Sequence, residues 1–188
     1  MKHLRTLLWN DRSAPSFEYC SLSEIHEGFH ISGEVVMSVE QHPMSARYQI
    51  VTNGDWYTQR VEVVLREGTH EEHLVLRVDA EQRWWRGSEE IVACRGSFDV
   101  DLSFSPSTNT LAMRRFALGV GESKTTTTAW VQLPDLQVGP FPQQYTRLSE
   151  NEYLFTSLKD DFKAKLVVDD LGLVTDYEGL WVAIAQAG

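Results

Sequence analysis

Phe98-Asp99-Val100-Asp101-Leu102-Ser103-Phe104-Ser105-Pro106-Ser107-Thr108-Asn109-Thr110-Leu111-Ala112-Met113-Arg114-Arg115-Phe116 is the stretch that decides the fold. Its first seven residues alternate. Phe98, Val100, Leu102 and Phe104 fall on one side and Asp99, Asp101 and Ser103 on the other, the period of an extended strand. The remainder changes period: Ser105 stands at a capping position, Pro106 in the first turn, and no glycine interrupts the next ten residues. That pattern marks a helix entry and predicts a helix near Thr108 to Leu118. Two carboxylates on one strand face, followed by an arginine pair on a helix, make the densest polar constellation in the chain.

Upstream of this stretch the signals are those of strands. Ile31 to Glu40 and Tyr48 to Val51 read as extended, and Thr52-Asn53-Gly54-Asp55 predicts a hairpin turn in which Asn-Gly takes positive φ. Trp56 to Arg66 sets Val61, Val63 and Leu65 against Arg60, Glu62 and Val64. After Glu67-Gly68, His73 to Asp79 places Leu74, Leu76 and Val78 inward, as in an antiparallel meander. Downstream, Thr125 to Leu133 is a Thr-rich strand bearing Trp130. Pro134 to Pro142 holds three prolines and predicts an irregular connection. Leu154 to Leu158 follows, then Asp161 to Asp169 with Phe162, Ala164, Leu166 and Val168 on one side. Asp169-Asp170-Leu171-Gly172 predicts a tight turn, and strands Leu173 to Tyr177 and Leu180 to Ala185 close the chain. About a dozen strands and one helix predict a mainly β protein, a sheet that must curl to bury one face, with the helix filling its middle.

The chain has 188 residues, enough to bury roughly 70% of its unfolded surface without metal or disulfide staples, and predicts a single domain over residues 1–188. Its 27 acidic residues against 17 basic give a net charge of −10, which repels nucleic acid and anionic membrane surfaces. No apolar run reaches the roughly 20 residues of a membrane helix, and the N-terminal apolar run is too short for an export signal. A cytoplasmic location is therefore expected, with Cys20 and Cys94 as free thiols. The six histidines show no metal spacing, and no nucleophile elbow or nucleotide-binding glycine pattern is present, so neither metal nor cofactor is expected.

Asp99 and Asp101 stand about 6–7 Å apart along one strand face. A carboxylate pair at that spacing suits glycoside chemistry, and it equally suits a polar outer sheet face. A buried arginine on the following helix needs an acid partner, for which Asp101 or Asp169 is the natural candidate. Asp169, Asp170 and Asp176 surround Gly172 without the oxygen spacing of a calcium loop, so a turn role is expected. Tyr177 is placed either to flank a sugar ring or to fill the core.

Several of these segments together resemble a known family. Tyr48 to Val63 with Gly54-Asp55-Trp56 and Arg60, the run from Asp101 to Arg115, Gln144-Tyr145-Thr146, Asp161-Phe162, and Asp169 to Tyr177 are similar to motifs of the bacterial "putative glycolipid-binding" family. Ala112 departs from the pattern, which has proline there. The resemblance covers essentially the whole chain. It implies a highly curved, many-stranded antiparallel sheet wrapped around a single α-helix, a homodimer, remote similarity to the lipoprotein localisation factors, and an acidic pocket for a glycolipid or related amphipathic small molecule. Placing that pocket at Asp99, Asp101, Asn109, Arg114, Asp169, Asp176 and Tyr177 rests on the clusters in this sequence, not on the family. Binding without catalysis, with a role in glycolipid metabolism, is the expectation. The rivals are an enzyme working through Asp99 and Asp101, and a module whose product is its dimer surface.

Overall fold

The computed structural model describes all residues, 1–188. Eight strands precede the deciding stretch: β1 (Lys2–Asp11), β2 (Ser16–Ile25), β3 (Gly28–Val39), β4 (His42–Asn53), β5 (Thr58–Glu67), β6 (His70–Val78), β7 (Trp84–Arg86) and β8 (Glu89–Glu90). The stretch itself forms β9 (Asp99–Leu102), a 3-10 turn (Pro106–Thr108) and α1 (Asn109–Phe116). Then come β10 (Ser123–Gln132), β11 (Gln137–Arg147), β12 (Glu152–Ser157), β13 (Lys163–Val168), β14 (Val174–Tyr177) and β15 (Trp181–Ala187).

All 15 strands form one sheet in the order β8-β7-β6-β5-β4-β3-β2-β1-β15-β14-β13-β12-β11-β10-β9. The two edges, β8 and β9, are joined by residues 91–98 alone. Laid flat, 15 strands would span roughly 67 Å between edges, at about 4.8 Å per gap. The linking segment reaches only about 30 Å when fully extended. The sheet must therefore curl, and it does so far enough for β9 to meet β5. Thr58 N donates to Phe98 O at 3.2 Å and Val100 N to Thr58 Oγ1 at 3.2 Å. The edges do not pair, so the sheet stays open.

Every neighbouring pair is antiparallel except β9 and β10. A parallel pair needs a crossover, and α1 is that crossover, which is why the one helix lies between the walls of the sheet. The helix opens as its sequence predicts. Ser105 Oγ accepts from Ser107 N, Pro106 occupies the first turn, and the end is set by Ala117 at φ 47°. Forty buried apolar residues form one continuous cluster that includes Leu111, Ala112 and Met113 of α1.

Three expectations require correction. Asn53-Gly54 keeps negative φ; the positive φ of that connection is at Trp56 (68°), whose ring stacks on Phe29 at 3.9 Å. Residues 137–142 are not an irregular connection but the first half of β11, paired with β10 throughout. Pro140 and Pro142 fit because β12 pairs with β11 only from Gln143 onward, so on that side no partner strand is waiting for the missing N–H. Phe162 precedes β13 and is 40% exposed, while Ala164, Leu166 and Val168 are buried as expected. β1 and β2 carried no clear strand signal. In β2 the alternation is inverted, with Phe17 and Tyr19 outside and Glu18 fully buried.

Candidate ligand-binding site

In β9, Asp99, Val100 and Leu102 are buried and Asp101 is partly buried, so its carboxylates are not on a solvated outer face. Asp99 is fully buried at the C-terminal end of α1. Arg115 donates to it through Nε (3.0 Å) and Nη2 (2.5 Å), and Thr126 Oγ1 lies 3.4 Å from the same carboxylate. The guanidinium is itself caged, its central carbon 4.5 Å from the Phe116 ring centre, 4.9 Å from Phe98 and 5.5 Å from Tyr57. The buried arginine is thus Arg115 and its partner Asp99, rather than Asp101 or Asp169. Burial pushes the Asp99 carboxyl up from its ordinary range, with Arg115 opposing.

Asp101, two residues on, faces different chemistry. It lines a cavity of about 180 Å³ together with Asn109 and Tyr177. Six rings wall this cavity: Trp130, Phe141, Phe155, Phe162, Tyr177 and Trp181. They support one another, with Trp130 stacked on Phe141 at 4.8 Å and Phe155 6.2 Å from Tyr177. β10, β11, β12, β14 and β15 each contribute to the wall, so the curl of the sheet builds it from residues far apart in sequence. The polar members form a chain. Gln143 Nε2 donates to Asp101, the Tyr145 hydroxyl bridges Gln143 Oε1 (3.2 Å) and Asn109 Oδ1 (2.9 Å), and Asn109 Nδ2 donates to Pro106 O at 3.1 Å. Burial pushes the Asp101 carboxyl up to about 6, against the Gln143 hydrogen bond and with the Asp99 charge adding to the shift.

The other predicted site residues lie elsewhere. Arg114 is exposed and rests over Trp56 at 5.4 Å. With Asp169 it lines a separate cavity of about 750 Å³. Asp169 serves its turn as expected, accepting from Leu171 N (3.0 Å) and Leu173 N (2.8 Å), with Arg5 Nε 3.2 Å away. Asp176 is paired at the surface with Arg12 at 2.9 Å. The structure therefore unites Asp101, Asn109 and Tyr177 and separates Asp99, Arg114, Asp169 and Asp176 from them.

One buried polar cluster had no signal in the sequence. Glu18 accepts from Tyr48 and from Ser105 Oγ (2.7 Å), while its Oε2 has no partner. The Tyr48 ring reaches it by folding across Gly33, where a Cβ would lie 2.4 Å from the ring. Burial pushes the Glu18 carboxyl up to about 8 despite those two hydrogen bonds. Ser105 lines the aromatic cavity as well, so this cluster supports its floor.

A curled sheet enclosing one helix, with an aromatic-walled cavity that holds a carboxylate, defines the class as a mainly β protein with an open, curled sheet and a single interior helix. The chain belongs to the family described as "Putative glycolipid-binding", whose model matches residues 6–183. The structure is similar to the crystal structure of a DUF1089 family protein from Pseudomonas aeruginosa, with TM-score 0.80 and 30% identity, over 88% of this chain and 90% of that one. No curated protein matches the chain. No helix is long and apolar enough to cross a membrane.

Proposed function

We propose that this protein binds the head group of a glycolipid without transforming it. The observation that carries the reading is the cavity where Asp101 and Asn109 meet six aromatic rings. Aromatic faces pack on the apolar faces of a sugar ring, while a carboxylate and a carboxamide hydrogen-bond to its hydroxyls. At about 180 Å³ the cavity is smaller than the roughly 300–1,000 Å³ of sites that take a whole drug-sized ligand. A head group would enter, and an alkyl chain would run outward past the half-exposed Phe162. The family's description supports the ligand class. The same reading takes the working form to be a homodimer, as the family resemblance implies, working in the cytoplasm. The rival in which Asp99 and Asp101 act jointly on a glycosidic bond is disfavoured by Arg115, which occupies both oxygens of Asp99.

The test is titration of the wild type with n-octyl glucoside below its micelle concentration, followed by tryptophan emission from Trp130 and Trp181. Saturable binding is expected, weakened about tenfold or more in Asp101→Ala, whose fold is confirmed by circular dichroism. Equal affinity in the two proteins would remove Asp101 from the site.

A further inference from the structure

Among the four candidate site carboxylates, Asp99, Asp101, Asp169 and Asp176, only one lacks a cation. Asp99 has Arg115, Asp169 has Arg5 and Asp176 has Arg12. Asp101 has only the neutral amide of Gln143, and the charge of Asp99 repels it. A carboxylate withdrawn from water without a counter-ion is costly, and proteins ordinarily pair it. Here the unpaired one faces a cavity rather than packed side chains.

The walls of that cavity point the same way. Aromatic faces carry negative potential and attract cations, most strongly organic ammonium groups whose carbon substituents also gain by leaving water. A sugar with neutral hydroxyls would use the hydrogen-bonding capacity of Asp101 but leave its charge uncompensated. One of these rings already makes a cation contact, since the exposed Lys159, which does not line the cavity, rests its Nζ 4.9 Å over the centre of Trp130. The net charge of −10 favours the approach of a cationic head group over an anionic one.

We infer that the Asp101 cavity selects an amphiphile whose head group carries an ammonium cation, with Asp101 as counter-ion and the aromatic rings as a cage around the nitrogen substituents. This rests on the proposed reading of the cavity as a head-group site and narrows its chemistry. An amine-bearing sugar satisfies both, and an alkylammonium head without a sugar satisfies the narrower claim.

Three probes of matched chain length separate the possibilities: octyltrimethylammonium and n-octyl glucoside, each below its micelle concentration, and the uncharged carbon analogue of the first, 2,2-dimethyldecane, dispersed in the same co-solvent. To avoid the poor solubility of the hydrocarbon, the head groups are also compared directly as choline against 3,3-dimethylbutan-1-ol, which share a shape and differ in charge. Choline is expected to bind at least about tenfold more tightly than its neutral analogue, and octyltrimethylammonium more tightly than octyl glucoside. In Asp101→Asn, which keeps the shape and one acceptor, the choline advantage should collapse while the neutral analogue is unaffected. Equal binding of the two isosteres, or an advantage that survives Asp101→Asn, would overturn the inference. Saturable glucoside binding without cation preference would overturn it and leave the glycolipid reading standing; no saturable binding of any probe would overturn both.

Discussion

The two ends of the enclosed helix handle buried charge in opposite ways. At the C-terminal end, Asp99 is fully buried and receives two hydrogen bonds from Arg115, which three aromatic rings hold in place. At the N-terminal end, Asp101 and Glu18 have no cation, and their carboxyls are pushed up to about 6 and about 8. Both ends meet the same strand, and Asp99 and Asp101 are two residues apart, so sequence proximity does not explain the difference. The arrangement of cations does. A compensated buried charge ties α1 to the sheet, whereas an uncompensated one beside a cavity is available to something outside the chain.

The sharpest way to break this comparison is at the compensated end. Arg115→Met keeps the length and apolar stem of the side chain but leaves Asp99 buried alone, which costs about 3–5 kcal/mol in such pairs. Urea unfolding should show that loss as a lower midpoint with an unchanged slope. The double variant Asp99→Asn/Arg115→Met should recover most of it, since no charge is then stranded. A loss below about 1 kcal/mol in the single variant would show that the pair is no more than a surface bridge in its effect, and the contrast would fall.

The uncompensated end makes a prediction about pH. Folded Glu18 keeps its proton to about 8, whereas the unfolded chain releases it near 4.5. The folded state therefore binds more protons between those values, and stability contributed by this group falls as pH rises through that window. The loss should reach on the order of a few kcal/mol by pH 8. Glu18→Gln keeps the acceptor for Tyr48 and Ser105 and removes the titration, so it should be more stable than the wild type at pH 8 and nearly equal to it at pH 4.5. Asp101 titrates in both proteins and cancels in the difference. Midpoints measured at the two pH values decide the matter: a constant gap would mean that Glu18 is not the titrating group.

These residues also show what the sequence made legible. β3 to β6 could be read because apolar residues alternate with polar ones, as at Val61, Val63 and Leu65, a consequence of burying one face. β2 could not, because its inward face carries Glu18 and its outward face Phe17 and Tyr19. β11 was hidden by prolines whose missing N–H groups matter only on a side where no strand pairs. At the site, Asp101 and Asn109 belong to one local motif and could be found together. The aromatic wall could not, since Trp130 and Trp181 meet only after the sheet has curled. Nor could the cations be assigned: Arg5 and Arg12 reach Asp169 and Asp176 from 164 residues away, and nothing in local spacing reports that.

The smallest effect belongs to the acid that lies at neither end of the helix. Asp176 and Arg12 are 40% and 43% exposed, in a pair 2.9 Å long. Water screens such charges, and holding two mobile side chains together costs entropy, so exposed pairs contribute about 0–1 kcal/mol. Asp176→Ala should therefore shift the urea midpoint only slightly and leave glucoside and choline binding unchanged, because the residue does not line the aromatic cavity. Raising the salt concentration should erase even the small stability difference. A loss of ligand affinity in Asp176→Ala comparable to that of Asp101→Ala would move the binding surface outward from the helix, and the distinction between paired and unpaired carboxylates would no longer locate the site.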